Sequence, residues 1–223
     1  MRRMQQREAR PAAGTGLRER KKQETRDRLS HVATLLFIER GFDEVTISEI
    51  AEAAGVSKMT VTNYFPLKED LVFDAHELVA DSLARVVRER RPGESAHHAL
   101  HRAYVDALGG AHPVLTGHSS PGFARMVHAS ARLRAREREI EEQREERLAA
   151  ALAEETGAAP DDLAPRLAAA QLAAAHRVLF RLVRTLMRAD APQPEADRRA
   201  EQAAQEAFAL LESSLGDYAV REP

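Results

Sequence analysis

Residues 46–65 constrain the fold of this chain most strongly, because they combine two short helical periodicities with a glycine between them. Apolar side chains at steps of three and four residues mark one face of the first helix: Ile47, Ile50, Ala51 and Ala54. Gly55 then suits a left-handed turn, and Ser57 suits the N-cap of a second helix. In that second helix Val61 and Phe65 face inward. The pattern predicts a helix-turn-helix, a unit that offers its second helix to the DNA major groove.

The side chains on the outer face of the second helix are suited to contact nucleic acid. Lys, Thr, Asn and Tyr bond to base edges or phosphates, and no carboxylate lies between Ser57 and Phe65 to repel a phosphate. An ordinary helical hairpin with a polar outer face is the alternative interpretation. The candidate DNA-contacting residues, with one cap before them and one lysine after them, are Thr46, Ser57, Lys58, Met59, Thr60, Thr62, Asn63, Tyr64 and Lys68.

A third helix is predicted before this pair. Apolar residues keep the helical period from Thr25 to Arg40, and Gly41 ends the run. Thr46, with Glu49 three residues later, has the pattern of a capping box. Three helices of this size share one apolar core, which holds a helix-turn-helix rigidly.

Residues 33–71 resemble the DNA-binding domain of the TetR (tetracycline-repressor-like) family of bacterial regulators. The motifs that carry the resemblance lie in one register: Phe37, Gly41-Phe42, Thr46, Ile50-Ala51, Ala54-Gly55-Val56-Ser57, Tyr64-Phe65 and Lys68-Glu69. The resemblance implies an all-α fold, with an N-terminal three-helix helix-turn-helix domain followed by a larger helical ligand-binding and dimerisation domain. Position 62, often a phosphate-contacting tyrosine in this family, is Thr62 here, so we expect this contact to be shorter or absent, with Tyr64 in its role.

Composition excludes several structural and cellular classes for this chain. Its 223 residues allow one or two domains, and the absence of cysteine excludes disulfides and thiolate metal sites. No apolar run approaches the roughly 20 residues that span a bilayer. The N-terminus lacks the apolar core of a signal peptide. We therefore expect a cytoplasmic protein with no membrane partner.

Charge is unevenly distributed along the chain. Residues 1–28 hold ten basic and four acidic side chains, although the formal net charge of the whole chain is -2. A basic arm before an acidic body favours attraction of one end to nucleic acid. We interpret residues 1–22 as a disordered basic arm, 23–67 as the helix-turn-helix DNA-binding domain and 68–223 as the effector-binding and dimerisation domain. The arm either contacts DNA or is a solubilising tail.

Residues 68–223 contain helical stripes separated by breaks. The first predicted helix is long and continuous, from Lys68 to about Arg91, and links the DNA-binding domain to the body. Residues 109–122 are rich in turn formers and are either a flap over a pocket or a surface connection. From Leu133 to Thr156 charges alternate densely. This pattern favours a solvated helix face with ion pairs at three- and four-residue spacing over a charged binding surface.

Two final apolar stripes, in residues 165–188 and 203–215, either close the monomer core or pair with a second copy in a four-helix bundle. The resemblance favours a homodimer, because members of that family dimerise through their last two long helices. A small-molecule effector is expected between the middle helices. The pocket candidates, chosen by helical facing, are His76, Tyr104, Phe123, Met126, His176 and Phe180.

The leading hypothesis is a DNA-binding transcriptional regulator, a repressor that a small-molecule ligand releases from its double-stranded operator DNA. A sequence-specific activator and a ligand-independent regulator are the alternatives. No nucleophile motif, carboxylate pair or phosphate loop is present, which argues against an enzyme and predicts no cofactor. His97 and His101 have a spacing that can hold a metal, but few carboxylates lie nearby in sequence. We therefore expect ordinary histidines and no metal there.

Overall fold

A computed structural model describes residues 13–110 and 112–222, and within them the chain forms ten α-helices and no strand. In chain order they are α1 (Ala13–Arg40), α2 (Ile47–Ala53), α3 (Lys58–Tyr64), α4 (His76–Arg88), α5 (Ala96–Leu108), α6 (Pro113–Thr116), α7 (Pro121–Ala129), α8 (Ala131–Thr156), α9 (Ala164–Arg188) and α10 (Gln193–Leu215). This confirms the predicted all-α class. Among the described residues, no helix is both long and apolar enough to span a bilayer.

The predicted helix-turn-helix is formed by α2 and α3, and local hydrogen bonds fix its ends. The Thr46 hydroxyl accepts from the Glu49 N–H at 3.2 Å, and Glu49 Oε2 accepts from the Thr46 N–H at 2.7 Å. These two bonds complete the predicted capping box. Gly55 turns the chain at φ +66°, and Ser57 caps α3 by accepting from the Thr60 N–H at 3.1 Å. The sequence therefore determines this turn locally.

Helix α1 begins earlier than predicted. The chain is helical from Ala13, so the prediction of disorder is wrong for residues 13–22, and residues 1–12 of the predicted arm lie outside the described part of the chain. Arg, Lys, Glu and Gln dominate residues 18–24, and all four have high helix propensity. The exposed basic segment thus extends the first core helix.

The predicted continuous helix from Lys68 to Arg91 is wrong in its first part. A single 3-10 turn covers Lys68–Leu71, and α4 starts only at His76. Leu71 and Val72 are both buried against the helix-turn-helix core. Leu71 and Val72 belong to this core, whereas Leu83 and Val87 of α4 belong to the core of the body, so the chain passes from one core to the other in this segment. The connection is therefore a bend between two rigid pieces.

Two apolar cores organise the chain. The larger one lies in the body, where α4, α5, α8, α9 and α10 bring together residues such as Leu83, Leu148, Leu179 and Phe208. The smaller one contains the apolar faces of α1–α3. Residues beyond the predicted boundary at position 67 complete it: Leu71, Val72, Met126, Val127 and Leu133. The helix-turn-helix is thus packed directly onto α7 and the start of α8.

Helix α8 is a central helix, and the prediction of a solvated charged face is wrong for much of it. It lies between α4 and α9, and Glu141 and Arg144 on it are 6% and 3% exposed. Most of its arginine pairs reach other elements and not its own turns. Three of these pairs are Arg132–Glu69 (2.8 Å), Arg136–Asp70 (2.8 Å) and Arg147–Glu77 (2.7 Å). The charges thus connect α8 to the chain around it.

Candidate functional site

Helix α3 presents an exposed polar face and a buried apolar one, as its sequence predicts. Val61 is fully buried, whereas Met59 is 72% exposed. Lys58, Thr62 and Asn63 are also exposed, and the Thr62 hydroxyl donates to the Met59 carbonyl at 3.1 Å. The face therefore offers an ammonium, an amide and a hydroxyl, groups that bond to phosphates and base edges.

The remaining residues predicted to contact DNA differ in exposure and in how far their polar groups are already hydrogen-bonded within the protein. The hydroxyls of Ser57 and Thr60 lie 2.8 Å apart, so they are engaged in capping α3. Thr46 is an exposed helix cap at the start of α2. Tyr64 is half-buried, and its carbonyl accepts from Arg26 Nη1 at 2.9 Å. These side chains position the outer face of α3 and border it.

Arg26 is a positioning residue that the sequence reasoning missed. Its guanidinium lies 4.3 Å from the centre of the Phe65 ring and pairs with Asp74 at 2.6 Å. It therefore joins α1, the end of α3 and the connection to α4. Glu19, Lys22 and Gln23 of α1 line the same surface depression as Asn63 and Tyr64. The basic extension of α1 thus lies beside the outer face of α3.

The sequence predicts that Lys68 contacts a phosphate, and in the structure its ammonium is bonded within the protein. Its Nζ donates to the Phe42 carbonyl at 2.5 Å and lies 4.4 Å from the centre of the Phe42 ring. Burial, with the nearby Arg132 cation, lowers the pKa of this ammonium. An interior carbonyl and an aromatic face satisfy the charge here, so Lys68 holds the start of the connection against α1 and α2.

A cavity of about 430 Å³ lies between the helix-turn-helix and the body. Of the six predicted pocket residues, His76, Phe123 and Phe180 line it. The prediction is wrong for the other three. Tyr104 is buried in the body core, Met126 is buried in the smaller core, and His176 lies behind Arg144. Helical facing identified α4, α7 and α9 as lining helices, but it wrongly added α5 and did not separate cavity from core.

The polar wall of the cavity is built from α8 and α9. Arg144 Nη1 donates to His176 Nδ1 at 2.8 Å, and burial lowers the pKa of Arg144 to about 10. Burial, followed by the Arg144 cation, holds the pKa of His176 well below its usual value, so this imidazole is a neutral acceptor. Arg184 Nη2 lies 3.5 Å from Glu137 Oε1. Burial raises the pKa of the neighbouring Glu141 carboxyl.

Both cavity arginines retain hydrogen-bonding capacity. The Nε atoms of Arg144 and Arg184 are buried and have no hydrogen-bond partner within residues 13–110 and 112–222. Their guanidinium groups lie 5.3 Å and 5.4 Å from the centre of the Phe180 ring. The alternating charges of α8 were visible in the sequence, but their depth was not. Beside an aromatic wall, the two unpartnered Nε–H donors form a site for an acceptor group, and Glu137 and Glu141 in the same lining balance part of the positive charge.

Part of the cavity wall comes from the DNA-binding helices themselves. Thr34 and Ile38 of α1 line the cavity, as do Val72 and Phe73 of the connection. Five residues of the turn-rich segment line it too, which supports the predicted flap over a pocket: Pro113, Val114, His118, Ser119 and Ser120. No sequence signal marked Thr34 or Ile38, because the cavity joins residues that are far apart in the chain.

The histidine pair with metal spacing does not converge on one point. The ring of His101 stacks on Phe208, with ring centres 4.8 Å apart. His97 instead approaches His98 and Glu212, and within the described residues these three form a group whose spacing could hold a metal ion.

Comparisons with known proteins agree with this architecture. Residues 29–75 match the family model described as bacterial regulatory proteins, tetR family. Over 173 residues the chain is 31% identical to the HTH-type transcriptional regulator TcmR of Streptomyces glaucescens, an alignment that covers 75% of this chain and 76% of that protein.

Solved structures show the same fold. A TetR-family regulator from Mesorhizobium loti superposes with a TM-score of 0.52 at 21% identity, covering 85% of this chain and 98% of that one. NalD of Pseudomonas aeruginosa, the secondary repressor of the MexAB-OprM efflux pump, gives a TM-score of 0.54 at 21% identity, with 84% and 96% covered. With its helix-turn-helix and its helical body, the chain therefore belongs to the TetR family of bacterial regulatory proteins and is a DNA-binding transcriptional regulator.

Proposed function

We propose that this regulator is a homodimeric repressor that a small apolar ligand with an anionic or acceptor group releases from its operator. The single observation that carries the proposal is the cavity of about 430 Å³, because α1 and the connection to α4 form part of its wall. A ligand there touches α1 and the connection, which pack against the helix-turn-helix. A ligand-independent regulator would have no need of such a cavity at this junction.

The DNA-binding surface is assigned to the outer face of α3. Lys58 and Asn63 are exposed on it and carry the groups best suited to phosphate and base contacts. Met59, 72% exposed, suits apolar contact with a thymine methyl group. Each protomer of a dimer places one α3 in the major groove, so the operator has two half-sites about one helical turn, or a multiple of it, apart.

Exposed apolar side chains on the last two long helices support the homodimer. Leu167 and Val178 of α9 are 60% and 64% exposed, and Leu210 of α10 is 82% exposed. Leu167 and Val178 are eleven residues apart, which is close to three full turns and places them on the same face of α9. Apolar faces of this kind are favourable when a second copy covers them.

The cavity wall defines the class of ligand. Ile38, Val79, Ile140 and Phe180 form apolar walls, and Arg144 and Arg184 place two cations beside them. A neutral apolar molecule would leave the buried guanidinium donors unpaired, whereas a ligand with a carboxylate, phenolate or sulfonate satisfies them. Because α1 borders the cavity, ligand binding favours the arrangement of α1 that best accommodates the ligand.

Binding to DNA tests the assignment of α3. Double-stranded DNA is first selected from a random library with the full chain, and affinity is then measured by fluorescence anisotropy. Lys58→Ala and Asn63→Ala are each expected to weaken binding about fivefold or more, since one base or phosphate contact contributes about 1–3 kcal/mol. Arg138→Ala, an exposed arginine on α8, is the matched control and should not change affinity. If all three variants bound DNA as tightly as the unaltered protein, the assignment would be refuted.

The fluorescent dye 1-anilinonaphthalene-8-sulfonate tests the cavity, because it combines an apolar body with an anionic group. Arg184→Met is expected to weaken dye binding about tenfold, by removal of a charge-assisted bond. Arg166→Met is the control, since Arg166 is exposed on the same helix and does not line the cavity. Coupling is reciprocal, so DNA-bound protein should bind the dye more weakly than free protein. Equal dye affinity with and without DNA would contradict ligand-controlled release.

A further inference from the structure

A second potential ligand site lies where the start of α5 meets the end of α10. His97 and His98 lie in the first turn of α5, and Glu212 lies in the last turn of α10. His97 Nδ1 is 3.5 Å from Glu212 Oε2, and His98 Nε2 is 3.4 Å from Glu212 Oε1. The three ligand atoms all lie within 4.8 Å of one another.

Hydrogen bonds fix which nitrogen of each ring faces this group. His97 Nε2 lies 2.9 Å from the Phe208 carbonyl, which can only accept, so Nε2 carries the proton and Nδ1 presents a lone pair. His98 Nε2 also faces Glu212, and it presents a lone pair in the tautomer whose Nδ1–H donates to the Ser95 hydroxyl, 2.9 Å away. An imidazole whose other nitrogen is bonded to a carbonyl or a hydroxyl is typical of metal ligands.

The environment of His97 gives an independent indication of a missing partner. The residue is only 1% exposed, and Nδ1 is a buried atom with no hydrogen-bond partner within the part of the chain that the structure describes. A buried lone pair without a donor is unfavourable. A cation bound at Nδ1 satisfies the lone pair and is neutralised by the carboxylate of Glu212.

We propose that His97 Nδ1, His98 Nε2 and the Glu212 carboxylate bind a divalent transition-metal ion of the zinc class. Two ligands about 2.1 Å from one tetrahedral ion are about 3.4 Å apart, close to the separations found here. Imidazole with carboxylate suits zinc better than magnesium or calcium, which prefer oxygen ligands alone. The side chain of Glu212 is 54% exposed, so water completes the coordination.

The ion connects the end of α10 to the start of α5. Because the helices that hold the ligands belong to the folded state, metal binding stabilises that state. The sequence pointed to His97 and His101 and to sparse carboxylates nearby. The structure instead supplies the carboxylate from α10, more than a hundred residues away, and removes His101 from the group.

Isothermal titration of the full chain with Zn²⁺, without a histidine tag and after chelator treatment, tests the site. We expect one ion per chain and at least tenfold weaker binding in His98→Ala and in Glu212→Gln. Both changes are at exposed side chains, so the fold is retained. The matched controls are His128→Gln on α7 and Glu201→Gln on α10, both exposed, and they should bind like the unaltered protein.

A thermal melt provides the second readout. At a free Zn²⁺ concentration of about one hundred times Kd, the Tm should rise by about 5–10 °C, and the rise should disappear in Glu212→Gln. Absence of Zn²⁺ binding, or equal affinity in the site variants and the controls, would overturn the proposal. Such a result would leave the group as a pair of imidazoles hydrogen-bonded around an acidic side chain.

Discussion

Replacement of Gly117 by alanine should destabilise the fold for two separable reasons. Gly117 ends α6 at φ +82°, a left-handed conformation that costs a residue with a Cβ about 1–2 kcal/mol. An added Cβ would also lie 3.1 Å from two ring carbons of Phe180 and 3.1 Å from its carbonyl oxygen. Because the backbone oxygen cannot move aside as a flexible side chain does, we add about 1–3 kcal/mol for overpacking.

The control is Gly157→Ala at the end of α8. Gly157 has φ +59°, but no heavy atom of its described surroundings beyond its chain neighbours lies within 4 Å of the added Cβ. This variant therefore reports the backbone cost alone. Urea unfolding gives both free energies of unfolding, and Gly117→Ala should lose about 1–3 kcal/mol more. The close approach would be refuted if the two losses were equal. Since Phe180 lines the cavity, dye binding should weaken only in Gly117→Ala.

Three further predictions concern other parts of the chain. Arg90, 1% exposed, donates to three carbonyls and to Glu155, so Arg90→Met should cost about 3–5 kcal/mol in urea unfolding, whereas a loss below about 1 kcal/mol would contradict its role. Thr46→Ala removes a helix cap and should cost about 1 kcal/mol, with Thr46→Ser as the neutral control. Finally, the folded state keeps His176 neutral, while the unfolded chain takes up a proton near pH 6.5. The Tm should therefore fall as the pH drops through about 6.5. In His176→Gln this fall in Tm should be smaller.

The helix-turn-helix was predictable because short-range rules determine it. Thr46 with Glu49, Gly55 and Ser57 act within a few residues of their own positions, so the sequence indicates both the caps and the turn. The apolar spacing that follows also identifies the buried face correctly, since Val61 is fully buried. Local hydrogen bonding and helical period were enough here.

The cavity was less predictable, because its wall depends on contacts between distant parts of the chain. Phe123 and Phe180 lie on faces that the helical period can indicate, but Met126, three residues after Phe123, points into a core and not into the cavity. The charged run of α8 looked solvated, yet Arg144 is 3% exposed. Alternating charges indicate which ion pairs can form within one helix, but they do not indicate which other helices pack over it.

The domain division after residue 67 stays a prediction, and the packing suggests how the two parts communicate. Helix α1 contributes Leu29 and Phe37 to the core that holds α2 and α3, and it contributes Thr34 and Ile38 to the cavity wall. Because Leu29 and Phe37 are fully buried in a close-packed core, a displacement of α1 by a ligand at Thr34 and Ile38 is transmitted to α2 and α3. The same helix therefore receives the ligand and carries the recognition helix. In a dimer, small rotations of the two copies of α1 change the separation of the two α3 helices, and only one half-site can then remain in register with the groove.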